Sequence, residues 1–140
     1  MKQCQCIGII VFLFIFVFVS GCGGPKYKFA VNKVEGVVTL DGVPFDGVTI
    51  TFMPNSTGEM GFARTGNSGE YQLSALGAKP QGGTTEGEYC VSFDKSMLAS
   101  DSGDKMKQYV PKKYLTPETS GFKVKVEKGK NIFNFDLKSK

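Results

Sequence analysis

The 140-residue chain has no histidine and no tryptophan, and Arg64 is its only arginine. Without histidine no Ser-His-Asp or Cys-His catalytic arrangement can form. The same absence removes imidazole as a zinc ligand and as a proton carrier near neutral pH. The composition therefore excludes the most common hydrolase mechanisms and the metal sites that depend on histidine.

Long apolar runs are also scarce, and the one that is present lies near the N-terminus, from Ile7 to Val19. A basic residue, Lys2, precedes it and two small residues follow it, which are the parts of a secretory signal. At a rise of 1.5 Å per residue the run spans about 20 Å, short of the ~30 Å hydrocarbon core of a bilayer. We therefore expect a signal peptide over residues 1–21. An uncleaved membrane anchor or a plain signal peptide is the alternative.

The end of this run, Val19-Ser20-Gly21-Cys22, resembles a bacterial lipobox. In proteins with that motif the cysteine sulfur receives a diacylglycerol, the preceding peptide bond is cut, and the new amino terminus is acylated with a fatty acid such as palmitate. The resemblance implies cleavage between Gly21 and Cys22 and lipid attachment at Cys22. Two or three acyl chains hold a protein stably at a membrane. We expect a lipid-anchored protein of the bacterial cell envelope, at the outer membrane or the periplasmic face of the inner membrane.

Cysteine is scarce beyond the lipobox. Cys4 and Cys6 leave with the signal peptide and Cys22 carries the lipid, so Cys90 is the single cysteine of the mature domain and no disulfide can form within it. One interpretation of Cys90 is a redox thiol or an intermolecular disulfide. The interpretation that we favour is a structural role as a small hydrophobic residue.

Beyond Cys22 the sequence divides into a tether and one domain. Residues 22–33 are rich in glycine and lysine and predict a lipidated tether. Residues 34–140 contain short alternating runs separated by turn residues, and no convincing helix. Alternation predicts strands with one buried face. Seven such strands predict an all-β fold, a single seven-stranded sandwich.

Individual strands give more detailed expectations. In the strand that ends at Asp94, we expect Tyr89, Val91 and Phe93 to be buried and Cys90 and Ser92 to point outward. A long loop at about 95–120 lacks alternation. Within it we expect short helical turns at Met97–Leu98 and Met106–Val110, and contacts from Tyr114 and Leu115 back to the domain.

Several of these segments resemble the carboxypeptidase regulatory-like domain: Val34-x-Gly36-x-Val38-Thr39-Leu40-Asp41-Gly42-Val43-Pro44, Gly47-Val48-x-Ile50-x-Phe52, Thr65-x-x-x-Gly69-x-Tyr71-x-Leu73 and Gly87-x-Tyr89-x-Val91. The resemblance implies a prealbumin-like (Ig-like) β-sandwich similar to transthyretin, which usually serves as an accessory or binding module. The later part of the chain resembles a lipoprotein subgroup with this domain, through Val110-Pro-Lys-Lys-Tyr114, Thr116-Pro-Glu-Thr-Ser-Gly121 and Asn131-x-Phe133-x-Phe135-x-Leu137. An enzymatic branch of the transthyretin-like fold hydrolyses 5-hydroxyisourate with histidines and a C-terminal tetrapeptide. This chain ends Leu137-Lys-Ser-Lys140 and has no histidine, so that activity is rejected.

Three further groups of residues are candidates for a site. Asp94, Asp101 and Asp104 are candidate calcium ligands, although their spacing is not that of a calcium loop and a solvated loop is favoured. Glu86 and Glu88 have no partner carboxylate that would indicate glycosidase chemistry. Exposed aromatic rings bind sugars in many sandwich modules, and the candidates here are Tyr27, Phe45, Phe62, Tyr109 and Tyr114.

The sequence thus predicts a non-catalytic lipoprotein with a structural or protein-interaction role. We expect no cofactor, no metal and no nucleic-acid partner. The alternative is a module that binds a glycan or another envelope ligand, and an enzyme of unrecognised type ranks third. Most lysines lie from Ser92 onward. They predict either a solvated surface, which we favour, or attraction to an anionic envelope surface.

Overall fold

The structure is a computed structural model that describes residues 30–75, 82–97 and 107–140. The signal segment, Cys22 and most of the tether lie outside the described residues. Within the described residues no helix is long and apolar enough to cross a membrane.

Nearly all regular structure in the described part is β-strand. Its strands are β1 (Lys33–Leu40), β2 (Val43–Pro44), β3 (Thr49–Pro54), β4 (Gly61–Arg64), β5 (Glu70–Gln72), β6 (Ser74–Ala75), β7 (Gly87–Asp94), β8 (Ser96–Met97), β9 (Lys107–Gln108), β10 (Phe122–Val126), β11 (Lys130–Ile132) and β12 (Phe135–Leu137). One 3₁₀ turn, Lys112–Tyr114, is the only helical element among the described residues. The predicted all-β class is confirmed.

Two five-stranded sheets build the domain. In the first sheet β1 pairs with β2 and β5 in antiparallel and with β11 and β12 in parallel. The second sheet is antiparallel throughout, in the order β10-β7-β3-β4-β6. A small separate pair joins β8 to β9.

One hydrophobic core lies between the sheets. The ring of Phe52, on the second sheet, lies 6.5 Å from the ring of Tyr71 and 6.2 Å from that of Phe135, both on the first sheet. The expected burial of Tyr89, Val91 and Phe93 is confirmed, since each is at most 1% exposed. Alternation therefore identified the core face of the long strands correctly.

One detail of the core differs from expectation. Ser92, expected to point into solvent, is only 7% exposed. It lies on β7, which has neighbouring strands on both sides, so the surrounding side chains shield its short hydroxymethyl group. Tyr89 is fully buried, and its hydroxyl is satisfied by the hydroxyls of Thr84 and Thr85, at 3.2 and 2.8 Å.

The chain also differs from expectation in the loop after β7. Met97 and the segment beginning at Lys107 are paired strands rather than helical turns. The contact of the loop with the core is confirmed: Tyr114 is buried, and its ring stacks on Phe122 at 5.7 Å. Leu115 packs against the same cluster.

Different loops and turns lie at the two ends of the domain. We call the end that holds the start of β1 the entry end, because the chain enters the domain there at Ala30. The loop 55–60, the segment 83–87 and the turn 127–129 lie at the entry end. The β1–β2 hairpin, the β8–β9 pair and residues 138–140 lie at the opposite end, called the far end.

Candidate functional site

The predicted lipid-attachment site, Cys22, and the cleavage position at Gly21 lie outside the described residues. The structure does place the point where the tether joins the domain. Asn32 exchanges two backbone hydrogen bonds with Thr84, of 2.7 and 3.1 Å. Its side-chain oxygen accepts a third from the backbone N–H of Gly129, at 2.8 Å. Hydrogen bonds with Thr84 and Gly129 therefore fix the position at which the chain enters the domain. We call Asn32 with these two partners the braced entry point.

Cys90 is half-buried on β7, and its thiol donates to the side-chain oxygen of Asn55 at 3.0 Å. Its cross-strand neighbours are Met53 on β3 and Lys123 on β10. The thiol thus links the strand to the loop that follows β3. This contact is compatible with the structural role, and the redox role stays an untested prediction.

The candidate calcium ligands are not brought together among the described residues. Asp94 is exposed and accepts hydrogen bonds from Gln108, at 2.6 Å, and from Ser96, at 3.3 Å. Asp101 and Asp104 lie outside the described residues. Where the structure describes the chain, it contains no group of three or more cysteine or carboxylate side chains that could hold a metal ion.

The two candidate glutamates flank the start of β7. Glu86 and Glu88 are both exposed, and the register places Glu88 opposite Lys125 of β10. A lysine, rather than a second carboxylate, is therefore the cross-strand neighbour of Glu88.

The candidate aromatic residues separate into two groups. Tyr27 lies outside the described residues, and Phe45 and Tyr114 are buried, at 9% and 6% exposure. Phe62 and Tyr109 are exposed, at 42% and 41%. They lie on different elements, since Phe62 is part of β4 and Tyr109 follows β9. These rings do not form one continuous aromatic strip.

Lys95 organises a small cluster beside Tyr109 at the far end. Its ammonium lies 4.9 Å from the centre of the Phe45 ring and 5.9 Å from that of Tyr109. It also pairs with Asp46 at 3.0 Å. This hydrogen bond from Lys95 holds the pKa of Asp46 below its usual value. The arrangement fixes the lysine between two rings and a carboxylate.

One concave feature that the sequence did not reveal is an open groove of about 520 Å³ on the outer face of the first sheet. Its lining residues come from β1, β4, β5, β11 and the segments beside them: Glu35, Gly36, Val37, Arg64, Gly66, Glu70, Tyr71, Gln72, Ile132 and Asn134. Ile132 is 58% exposed there. The sequence contained one signal of this groove, because Ile132 is an apolar residue at an outward position beside inward Phe133.

Charges in the groove are partly compensated. Lys130 and Lys33 each bind the Glu35 carboxylate at 2.6 Å, and their hydrogen bonds lower the pKa of Glu35. A hydrogen bond from Ser68 lowers the pKa of Glu70. Arg64, the only arginine of the chain, also lines the groove. The groove therefore offers both charge signs beside an exposed apolar surface.

No family model, no curated protein and no solved structure matches this chain. The resemblance to the carboxypeptidase regulatory-like domain accordingly stays a prediction. The geometry itself consists of an all-β domain with a braced entry point, an open groove on one sheet, and Lys95 held at the far end.

Proposed function

We propose that this protein is a lipoprotein of the bacterial cell envelope, anchored through acyl chains on Cys22, with a structural or protein-interaction role. The observation that carries the proposal is the distance along the chain between the lipobox and the folded domain. Only seven residues, 23–29, separate the proposed acylated cysteine from the described domain. A short tether that ends at a braced entry point is suited to holding a rigid domain close to a membrane surface.

The proposed domain type is a seven-stranded, prealbumin-like sandwich. The support is the arrangement of the longer strands, which can be grouped as β1, β3, β4, β5, β7, β10 and a last strand formed by β11 and β12. Both parts of that last strand pair with β1 in one register: Lys33 pairs with Lys130, and Val38 with Phe135. They therefore act as one strand with a short interruption at 133–134.

The intact mass of the protein extracted from bacterial membranes tests the anchor. We expect a chain that begins at Cys22 and carries added acyl mass. The Cys22→Ser variant loses that mass and stays uncleaved, whereas Cys90→Ser, a matched removal of a thiol, keeps it. An unmodified wild-type chain that begins at Met1 contradicts the proposal.

The groove on the first sheet supports a second candidate, a module that binds a glycan or another envelope ligand. Hydrogen-bonding side chains of Gln72 and Asn134 lie beside the exposed apolar Ile132. Such a mixture of apolar contact and a few polar groups is typical of ligand sites.

A glycan array and a pull-down from envelope extracts, both with the full chain, test this candidate. The Ile132→Ser variant should abolish any capture that the groove mediates. Val43→Ser is the matched control, because Val43 is 66% exposed and does not line the groove. Equal capture by wild type and Ile132→Ser excludes the groove as the site.

A further inference from the structure

The last quarter of the chain carries a strong excess of positive charge. Nine lysines and three carboxylates lie between Lys107 and Lys140. Eight of these lysines have described side chains, and all eight are exposed. We call them the basic edge: Lys112, Lys113, Lys123, Lys125, Lys128, Lys130, Lys138 and Lys140.

The fold gathers these lysines along one side of the domain. β10 is an outermost strand of the second sheet, and β11 and β12 lie beside β1 in the first. The ring of Phe122, on β10, lies 5.2 Å from that of Phe135, on β12, so the two strands meet at the same side of the core. The 3₁₀ turn joins them through the ring of Tyr114, which stacks on Phe122.

Much of this charge has no carboxylate partner. Ion pairs join Lys125 to Glu127, Lys130 to Glu35 and Lys138 to Asp136. Within the described residues the other five lysines make no ion pair with a side-chain carboxylate; they are Lys112, Lys113, Lys123, Lys128 and Lys140. The ammonium of Lys113 donates to a main-chain oxygen of Lys140, at 3.3 Å. Because Glu118 is the one further carboxylate side chain between Lys107 and Lys140, the basic edge has a clear positive excess.

The tether joins the domain at this same side. Asn32 accepts its hydrogen bond from Gly129, which stands between Lys128 and Lys130. The eight residues from Cys22 to Phe29 span at most roughly 30 Å when fully extended. A membrane anchor at Cys22 therefore keeps the basic edge close to the lipid headgroups.

From these two observations we propose that the basic edge lies against anionic lipid headgroups of the membrane that holds the chain. This inference rests on the proposed anchor at Cys22. Screening limits the attraction between exposed charges to about 10 Å, so lysines on a free domain gain little. The tether supplies the proximity, and the lysines then select one orientation, with the basic edge facing the membrane. Lysine suits this role because its compact ammonium group attracts a headgroup phosphate by charge alone. The planar, two-point hydrogen bonding of an arginine side chain is not needed for such an attraction.

The experiment uses the full chain as isolated from bacterial membranes, reconstituted into vesicles of phosphatidylcholine alone or mixed with phosphatidylglycerol. Vesicle flotation measures attachment. Acetylation by a water-soluble reagent, read by peptide mass spectrometry, measures the accessibility of each lysine. On the anionic vesicles we expect Lys112, Lys123 and Lys128 to be acetylated about five times more slowly than on neutral vesicles. Lys95, which packs on Phe45 and pairs with Asp46 and is not part of the basic edge, should react equally on both.

A variant with K112Q, K123Q and K128Q tests whether the local charge is responsible. Two of its five remaining edge lysines, Lys113 and Lys125, should lose most of their protection. The control E59Q/E70Q changes net charge on the opposite side of the domain and should leave the protection intact.

The outcomes separate the two proposals. A chain that floats with both kinds of vesicle but shows equal acetylation on both overturns the basic-edge inference and leaves the anchor standing. Flotation with anionic vesicles alone contradicts the anchor and, with it, the tether-dependent orientation, because the lysines would then bind the membrane without help from the acyl chains. A chain that floats with neither overturns both.

Discussion

At the residue scale, Gly36 marks the closest backbone approach in the first sheet. A Cβ atom added there would lie 1.8 Å from the carbonyl oxygen of Phe133. That oxygen turns toward the core, where it accepts a 2.8 Å hydrogen bond from the Tyr71 hydroxyl. In place of the Phe133 oxygen, the side-chain oxygen of Asn134 accepts a hydrogen bond from the backbone N–H of Val37, at 3.0 Å. At the interruption between β11 and β12, the carbonyl oxygen of Phe133 occupies the space that a side chain at position 36 would need. Only glycine therefore fits at this position.

Gly36→Ala should destabilise the domain by roughly 2–4 kcal/mol, because the added methyl group displaces backbone rather than a flexible side chain. Urea denaturation measures the change. Gly121→Ala is the matched control: Gly121 has a φ of +75° but nothing within 4 Å of an added Cβ. The control should cost only about 1 kcal/mol of backbone strain. Equal losses in the two variants would refute the steric explanation.

Asp136 connects the last strand to the first hairpin. Its carboxylate accepts hydrogen bonds from Lys138, from the Thr39 hydroxyl at 2.7 Å and from the backbone N–H of Gly42 at 3.0 Å. These contacts, with Lys138 contributing most, lower the pKa of Asp136 from 3.8 to about 2. A carboxyl with a lowered pKa stabilises the fold when it is ionised.

The stabilisation from Asp136 should be complete above the pKa that it has in the unfolded chain, about 3.9. It should be lost as the pH falls toward about 2. Asp136→Asn should therefore be less stable than wild type near neutral pH, and the difference should shrink under acid conditions. Urea midpoints across this pH range measure it. Glu118→Gln, which removes an exposed carboxyl elsewhere, should follow the wild-type profile, and a constant gap between Asp136→Asn and wild type would contradict the mechanism.

At the element scale, the side chain of Gln108 links the end of β7 to the residues that follow β9. The side-chain oxygen of Gln108 accepts backbone N–H groups from Tyr109 at 2.9 Å, Val110 at 3.0 Å and Lys95 at 3.3 Å. Its amide nitrogen donates to Asp94 at 2.6 Å. A single glutamine thus binds three backbone N–H groups beside these two-residue strands. The N–H of Tyr109 also donates to the Lys95 carbonyl, at 3.2 Å.

Gln108→Ala should speed amide hydrogen exchange at Lys95, Tyr109 and Val110 by about tenfold, while the unfolding midpoint changes little. Local opening raises exchange without global unfolding, because this pair lies outside the main sheets. Hydrogen-exchange mass spectrometry measures the effect. Gln72→Ala, an exposed glutamine on β5, serves as control and should leave exchange at these three residues unchanged.

The length of a strand determines whether its buried face can be predicted from the sequence. The alternation in β3, β7 and β10 extends over at least five residues, which is enough to identify the buried face. Pairs such as β8 and β9 are two residues long and carry no readable period. Their pairing depends on Gln108 and on contacts across the loop, so the sequence suggested helical turns instead.

The hairpin after β1 was predictable for a different reason. Asp41 and Gly42 have φ values of +53° and +82°, the backbone conformation that an Asp-Gly turn favours. The groove was less predictable, because it depends on which strands become neighbours. Only the placement of β5 and β11 beside β1 brings Glu70 and Ile132 to the same surface.

At the scale of the whole molecule, the fold depends on the pairing of its two ends. β1 and β12 lie 97 positions apart in sequence and pair directly, as Val38 with Phe135 and Leu40 with Leu137. Phe135 and Leu137 are buried, at 3% and 0% exposure. The core is therefore incomplete until the last strand docks beside the first.

A chain shortened to end at Glu127 should show no cooperative unfolding transition. It loses two large core residues, each worth roughly 2–5 kcal/mol, from a domain whose whole stability is about 5–15 kcal/mol. Circular dichroism during heating tests this. Removal of residues 138–140 alone is the control and should preserve a cooperative transition. A sharp transition in the shorter chain would mean that β1 does not need its parallel partner.

The parallel pairing of β1 with the last strand has a mechanical consequence. The chain enters at one end of β1, while the last strand finishes at the far end, where Asp41 N–H bonds the Leu137 carbonyl at 2.8 Å. Tension between the entry point and the C-terminal residues would draw these two strands past each other along their length. Hydrogen bonds loaded in this way bear the force together, whereas strands peeled from one end break their bonds one after another. The domain is thus built to resist stretching along its long axis.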